Sequence, residues 1–224
     1  MEGPTAAKKN LSPETPETGA PPRVKGFFAR LAGLPGEIVD DFWGTLGKLQ
    51  DERLLWVCGG LSALCLELFS YFYFQRHLKL RPCEYCVLIR FSMVVLFSGG
   101  MVGAMKPSSL FFKLPGLAIS EIGAVMGLRY SIILENINLD SMDPDYLSVC
   151  SFGKVSFPLG IPMDEYFPGH FLAPGTCGKD TLWSFLDFNM TEWLIPIYIV
   201  YALGLLFMFA AWILKTLKDK RPPA

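Results

Sequence analysis

The sequence predicts an all-α membrane protein, a four-transmembrane-helix bundle with one long loop between helices 3 and 4. Three observations lead there. Four apolar stretches, residues 54–74, 87–105, 110–134 and 193–214, are each long enough to cross a bilayer, which takes about 20 apolar residues per helix. The chain is 51% hydrophobic and 18% charged, and the charges are segregated into the two tails and the connecting segments. The six cysteines are segregated too: Cys58 and Cys65 lie inside the first stretch, Cys83 and Cys86 just before the second, and Cys150 and Cys177 in the long loop.

Residues 1–22 are rich in Pro, Thr, Glu and Gly and bury too little apolar surface to repay ordering, so a disordered tail is expected. From Val24 the pattern changes. Val24, Phe27, Phe28 and Leu31, then Ile38, Phe42, Trp43, Leu46 and Leu49, recur at helical spacing but are interrupted by charge and by Pro35. Residues 23–53 are therefore expected to lie along the inner membrane surface, with a docking helix for a soluble partner as the alternative. The first apolar run begins only at Leu54 and shows no small-residue cleavage site, so it reads as a retained anchor.

Within the first span, Cys58 and Cys65 share a helix face and read as small packing residues. Glu67 is different, because a carboxylate inside a span costs several kcal/mol unless protonated or paired. It should face the bundle interior, with an arginine of another span as its expected partner and a proton-relay role as the second reading. In the second span Gly99, Gly100, Gly103 and Ala104 permit close helix packing, and Lys106-Pro107-Ser108-Ser109 makes a short inner turn. The third span carries Lys113, Glu121 and Arg129. Glu121 and Arg129 are too far apart and too rotated to pair within one helix, so each should find a neighbouring helix or water.

Residues 136–192 form the one sizeable region outside the membrane and show no helical periodicity, and a loop of that length is usually functional. In an oxidising compartment Cys150 and Cys177 would form a disulfide closing a loop of about 28 residues, worth roughly 3 to 4 kcal/mol in the chain-entropy model. Phe157, Pro158, Ile161, Pro162, Tyr166, Phe167, Pro168 and Phe171 between them are apolar enough to rest on the bilayer surface, which would hold Cys177 near Cys83. The fourth span leads into a basic tail, residues 215–224.

An even number of spans leaves both ends on one side. Lys and Arg are in excess over the amino-terminal segment, the inner turn and the carboxyl tail, so by the positive-inside rule those parts are cytoplasmic and both cysteine-bearing loops face outward. Arg76, Lys79 and Arg81 in the first outer loop run against the rule, which therefore rests on the total. The formal net charge of -1 gives no reason to expect a nucleic-acid partner.

The chemistry is concentrated in Arg81-Pro82-Cys83-Glu84-Tyr85-Cys86-Val87-Leu88-Ile89-Arg90. Two residues between cysteines let the sulfurs meet, and such pairs commonly have lowered thiolate pKa values and exchangeable disulfides. Arg90 follows Cys86 by one helical turn and shares its face, where a permanent cation would stabilise a thiolate or a reduced anionic cofactor. The same motif also fits half of a zinc site, and the arginine also fits a snorkelling interface anchor. An oxidising compartment disfavours a four-cysteine zinc site, and no metal is expected.

These residues resemble the DsbB/DsbI family of inner-membrane disulfide oxidoreductases over roughly residues 54–214. The resemblance is carried by Leu66-Glu67-Leu68, Phe74-Gln75, and Pro82-Cys83 with Cys86 and Arg90. In the loop it is carried by Cys150, Phe157-Pro158, Pro162, Asp164, Pro168, Phe171, Ala173, Gly175 and Cys177. Trp183, Phe185-Leu186, Met190 and Trp193-Leu194 continue it into the fourth span. It implies a bacterial inner-membrane bundle whose periplasmic loop reoxidises a DsbA-like thioredoxin-fold oxidase and passes two electrons to a membrane quinone, ubiquinone or menaquinone.

By position in that family, Cys150 would take the mixed disulfide with the partner, and Cys177 would exchange with Cys83. Cys86 would then be released as the thiolate facing the quinone, with Arg90 stabilising the anionic form. The working disulfides would be Cys83-Cys86 and Cys150-Cys177. The long amino-terminal tail and Glu84-Tyr85 between the cysteines resemble the DsbI branch, whose partner is a DsbL-type oxidase.

Two positions depart from the family pattern. Ile89 stands where an acidic residue commonly precedes the arginine, and Asn136 stands where a histidine commonly follows the acidic residue ending span three. Both remove titratable groups from the expected quinone site. The rival from another class is a non-enzymatic tetraspan scaffold with structural disulfides, which leaves a Cx2C at a helix start without a purpose. A vitamin K epoxide reductase type bundle would run similar chemistry but usually carries its Cx2C late, whereas here the motif opens span two.

Overall fold

The computed structural model describes residues 49–141, 155–178 and 184–219. The expected tail, most of the expected interfacial segment, Cys150 and the last residues of the chain lie outside the described residues. Helix α1 (Arg53–Phe69) runs on through a π-helical stretch, Ser70–His77. Then come α2 (Glu84–Met105) and α3 (Leu110–Asp140), the single-turn helices α4 (Met163–Tyr166) and α5 (Pro168–Phe171), a two-stranded hairpin of β1 (Ser184–Phe185) and β2 (Phe188–Asn189), and α6 (Met190–Asp219). Four of these helices, α1 with its extension, α2, α3 and α6, are long and apolar enough to cross a membrane.

Each helix packs on the next in sequence: α1 on α2, α2 on α3 and α3 on α6. The glycines explain the intimacy. A Cβ on Gly100 of α2 would sit 2.8 Å from the Cα of Gly60 in α1, and one on Gly116 of α3 would sit 2.7 Å from the backbone nitrogen of Gly103. Without hydrocarbon contrast to drive them together, membrane helices gain from such close approach. Outward faces carry large apolar side chains, Phe111 at 79% and Val200 at 71% exposed, as lipid-facing positions should. The buried Tyr198 of α6 ties three helices by reaching Ser92 Oγ at 2.5 Å and donating to the Ile89 carbonyl at 3.0 Å, in a slot left open by Gly127.

All four helices run longer than the hydropathy pattern indicates, α6 covering Met190–Asp219 where 193–214 is expected. The first continues past residue 74 to His77 because its last turns widen to i→i+5 bonding, with Leu78 N–H donating to the Tyr73 carbonyl at 3.0 Å. The third continues past residue 134 to Asp140, and residues 136–140 expected in the loop are helical. Its polar end is satisfied across the bundle: Thr191 donates to the Glu135 carboxylate, and Asn138 Nδ2 donates to Thr191 Oγ1 at 3.3 Å. Lys113 pairs with Asp51, whereas Glu121 keeps one carboxylate oxygen buried without a partner among the described residues.

The described part of the long loop holds short helical turns at Pro158–Gly160, Met163–Tyr166 and Pro168–Phe171. Tyr166 and Phe167 are exposed and available to a bilayer surface. Phe157 and Phe171 instead turn inward onto Val87, Leu88 and Phe91 of α2. Phe91 meets Phe157 edge-on at 5.4 Å, so the loop is seated on the bundle itself.

Candidate active site

The site is assembled where α2 begins. Cys83 is extended and becomes the N-cap of α2, its sulfur accepting from the Cys86 backbone N–H at 3.3 Å. Three residues on, the first turn brings Cys86 Sγ to 2.7 Å from Cys83 Sγ. Both are free thiols and buried, Cys83 completely. A helix N-terminus favours negative charge on sulfur. For Cys83 itself, the hydrogen bond with Cys86 and then burial outweigh the backbone N–H and hold its thiol well above the ordinary value.

The long loop delivers a third sulfur. Gly175 donates its backbone N–H to the Pro82 carbonyl at 3.1 Å. A Cβ there would collide with the Arg81 carbonyl oxygen, so the approach needs glycine. Two residues later Cys177, disulfide-bonded and 3% exposed, packs into the same buried cluster as Cys83 and Cys86. The structure thus brings together three of the four expected redox cysteines. The fourth, Cys150, is outside the described residues, while Cys58 and Cys65 are exposed free thiols away from this cluster.

One turn deeper, Arg90 is 4% exposed. It donates from NH1 to Gln75 Oε1 at 2.7 Å and from Nε to Ser70 Oγ at 3.3 Å. Ser70 and Gln75 are five residues apart. In an α-helix such residues point well away from one another, whereas i→i+5 winding stacks them, so the π-helical stretch makes the two-sided clamp. Sequence reasoning named Gln75 only through the resemblance and did not find Ser70.

Arg90 opens onto a cavity of about 460 Å³ between α1, α2 and α6, lined also by Glu67, Ile89, Met93, Trp193 and Leu194. Cys86 stands just behind this wall, in the cluster that Leu66, Ile89, Met93 and Leu194 share. The hairpin bounds the cavity through Phe185, whose carbonyl accepts from Trp193 Nε1 at 3.2 Å. An apolar cleft of about 730 Å³ between α1 and α6 adjoins it, sharing Trp193 and Ile197.

Glu67 corrects one expectation. Its partner is His170 of the loop helix α5, with His170 Nε2 2.6 Å from Glu67 Oε1, and not an arginine of another span. The loop helix packs against α1 there, bringing His170 to Glu67. Nothing in the periodicity of α1 could have found a partner 103 residues away.

Chemically, the arrangement offers a buried dithiol that closes to a disulfide, a neighbouring cystine to exchange with it, and a cation beside an apolar cavity. A family model described as Disulfide bond formation protein DsbB matches residues 52–208, which include Cys83, Cys86, Arg90, Cys150 and Cys177. A Campylobacter fetus protein named DsbI is 33% identical over 210 residues, covering 83% of this chain and 97% of its own. The protein-disulfide oxidoreductases DsbI of Lelliottia amnigena and Salmonella typhimurium are each 34% identical over 162 residues, with 70% of this chain covered and 70% and 68% of theirs. With matches of that extent spanning all four helices and the cysteine cluster, the chain belongs to the DsbB family of inner-membrane, multi-pass protein-disulfide oxidoreductases, on its DsbI branch.

Proposed function

We propose that the protein reoxidises a periplasmic DsbA-like or DsbL-like thioredoxin-fold oxidase and passes the electrons through two cysteine pairs to a membrane quinone. The observation that carries this reading is the seating of Cys177 against Cys83 and Cys86 by the Gly175-to-Pro82 bond. A thiolate must attack a disulfide in line, so two cystines in series need their sulfurs to touch in turn. In this reading the partner's thiolate attacks Cys150, freeing Cys177 as a thiolate. Cys177 then attacks Cys83, and the Cys83-Cys86 bond breaks with its electron pair leaving on Cys86.

The cavity fits a quinone. A flat ring with two carbonyl oxygens suits apolar walls with one cation, and the adjoining cleft suits an isoprenoid tail. Arg90 would hold the ring, with its Nε and NH1 fixed by Ser70 and Gln75 so that the guanidinium is oriented before binding. Quinone supplies a two-electron sink, which matters because a DsbA-type client near about -120 mV is hard to oxidise with thiols alone. The chain's own residues bring the reducing sulfur to the cavity wall, keep bulk water out and place a positive charge where negative charge develops. By the positive-inside rule, the termini are cytoplasmic and the cysteines periplasmic.

The test is anaerobic mixing of purified protein with a reduced DsbA-like partner and a quinone, followed by quinone absorbance. Stoichiometric quinone reduction supports the relay. No reduction with DsbA-like and DsbL-like partners alike would leave a tetraspan scaffold with structural disulfides.

A further inference from the structure

A guanidinium attracts negative charge but is no proton donor, and Ile89 carries no titratable group. The titratable groups lining the cavity are Arg90, Tyr73 and Glu67. Of these a carboxylic acid is the stronger donor by several pKa units over a phenol. Glu67 is 2% exposed; Oε1 meets His170, and Oε2 is buried without a partner among the described residues. A buried carboxylate oxygen in a cavity wall with nothing to bond is expensive unless a ligand or a proton completes it.

His170 is the other half of the arrangement. It sits on α5 at the rim, half-buried, with Tyr71 against its ring at 4.6 Å and Phe171 edge-on at 4.9 Å. Neighbouring Gln75 binds Arg90 through its oxygen and the Gly169 carbonyl through Nε2 at 3.4 Å, so α5 is pinned to the cavity from both sides. The remaining charged and titratable groups facing the pair are Arg90 from α2, Arg76 over Tyr71 at 5.9 Å, and Tyr198 of α6, which couples electrostatically to Glu67.

We propose that Glu67 and His170 form the proton route into the Arg90 cavity, with Glu67 as the immediate donor and His170 as the relay that reloads it from the outer surface. This rests on the quinone reading above. Oxidising two thiols to a disulfide releases two electrons and two protons, and a quinone that takes both electrons takes two protons to become the quinol. Glu67 gives its carboxyl proton to an oxygen of the carrier, and His170 passes a proton from Nε2 to Glu67 Oε1. His170 is then reprotonated from outside water, where the thiols have released theirs, and a second cycle completes the balance. Imidazole suits that post because it exchanges protons near neutral pH.

The experiment uses the full-length protein in detergent with decylubiquinone as the carrier. It compares wild type, His170→Gln and Glu67→Gln in three readouts: carrier reduction against pH, infrared difference spectra on carrier reduction, and trapping of the Cys177-Cys83 link without carrier. Glutamine at position 170 keeps a hydrogen bond to Glu67 but carries no proton. The expected result is a loss in carrier reduction on the order of 10²-fold in both variants, the usual scale of general acid catalysis. His170→Gln should also alter the pH profile of carrier reduction. A carboxyl signal should be present in wild type and absent in Glu67→Gln, and the Cys177-Cys83 link should form at the wild-type rate in both variants. A wild-type rate and pH profile in His170→Gln overturns the relay. Equal slowing of link formation and carrier reduction also overturns it, making the pair a latch for the loop. If wild-type protein itself reduces no decylubiquinone while still forming the link, the quinone reading fails first.

Discussion

Gly175 donates to the Pro82 carbonyl at 3.1 Å, and this bond fastens the loop that carries Cys177 to the turn that presents Cys83. Neither residue has chemistry of its own. Their contact nevertheless fixes which sulfurs are neighbours. Gly175→Val would drive a side chain into the Arg81 carbonyl and force the loop away. Overpacking of this kind costs about 1 to 3 kcal/mol, and the local contact should absorb it before the bundle does. The expected outcome is at least about a tenfold slower Cys177-Cys83 link, trapped by acid quench and alkylation, with helix content by circular dichroism unchanged. Link formation at the wild-type rate would mean that this bond does not position the loop.

Cys83→Ser and Cys86→Ser should each abolish carrier-dependent oxidation while the helices remain, because they remove one end of the buried pair. Cys150→Ser should stop capture of a reduced partner yet leave the Cys83-Cys86 pair able to reduce carrier when dithiothreitol supplies the electrons. Intact turnover in any of the three single variants would refute the assigned order of exchange.

Arg90→Ala removes a guanidinium that satisfies Gln75 and Ser70 as well as any ligand. Losing a charged hydrogen bond costs about 1.5 to 3 kcal/mol, or roughly 10- to 150-fold. That loss should fall on kcat/KM for the carrier, with partner binding unchanged by calorimetry. Gln75→Leu should produce a milder form of the same defect, since Arg90 stays but loses its strongest anchor. A defect in partner affinity of equal size would move Arg90 from the cavity to the docking surface.

The sequence carried the four spans and the Cx2C at the head of α2, because apolar runs and cysteine spacing are local signals, and the structure places Cys177 in the same buried cluster as Cys83. The sequence could not carry the clamp on Arg90. That depends on a change of helical pitch at Ser70–His77, where aromatic residues give no periodic sign of i→i+5 bonding. Nor could it carry Glu67 with His170, a tertiary contact between a span and a loop. The end of α3 was missed for a related reason. Asn138 looks like a loop residue in isolation, and its bond to Thr191 of α6, which also donates to Glu135, makes it compatible with a helix.

Cys83 supplies the pH prediction. In the reduced protein its pKa is raised, first by the hydrogen bond with Cys86 and then by burial, so the folded state binds the proton more tightly than the unfolded chain does. Its contribution to stability is therefore full below the unfolded thiol value of about 8.5 and is lost as pH rises through the higher folded value. Iodoacetamide modification of Cys83, read by peptide mass spectrometry against an unfolded control, should begin only at a more alkaline pH than in that control. Cys86→Ala removes the largest cause and leaves burial, so the midpoint should move down toward the ordinary range without reaching it. A wild-type midpoint at the unfolded value would show that the two sulfurs do not share a proton. A midpoint unmoved by Cys86→Ala would assign the whole shift to burial.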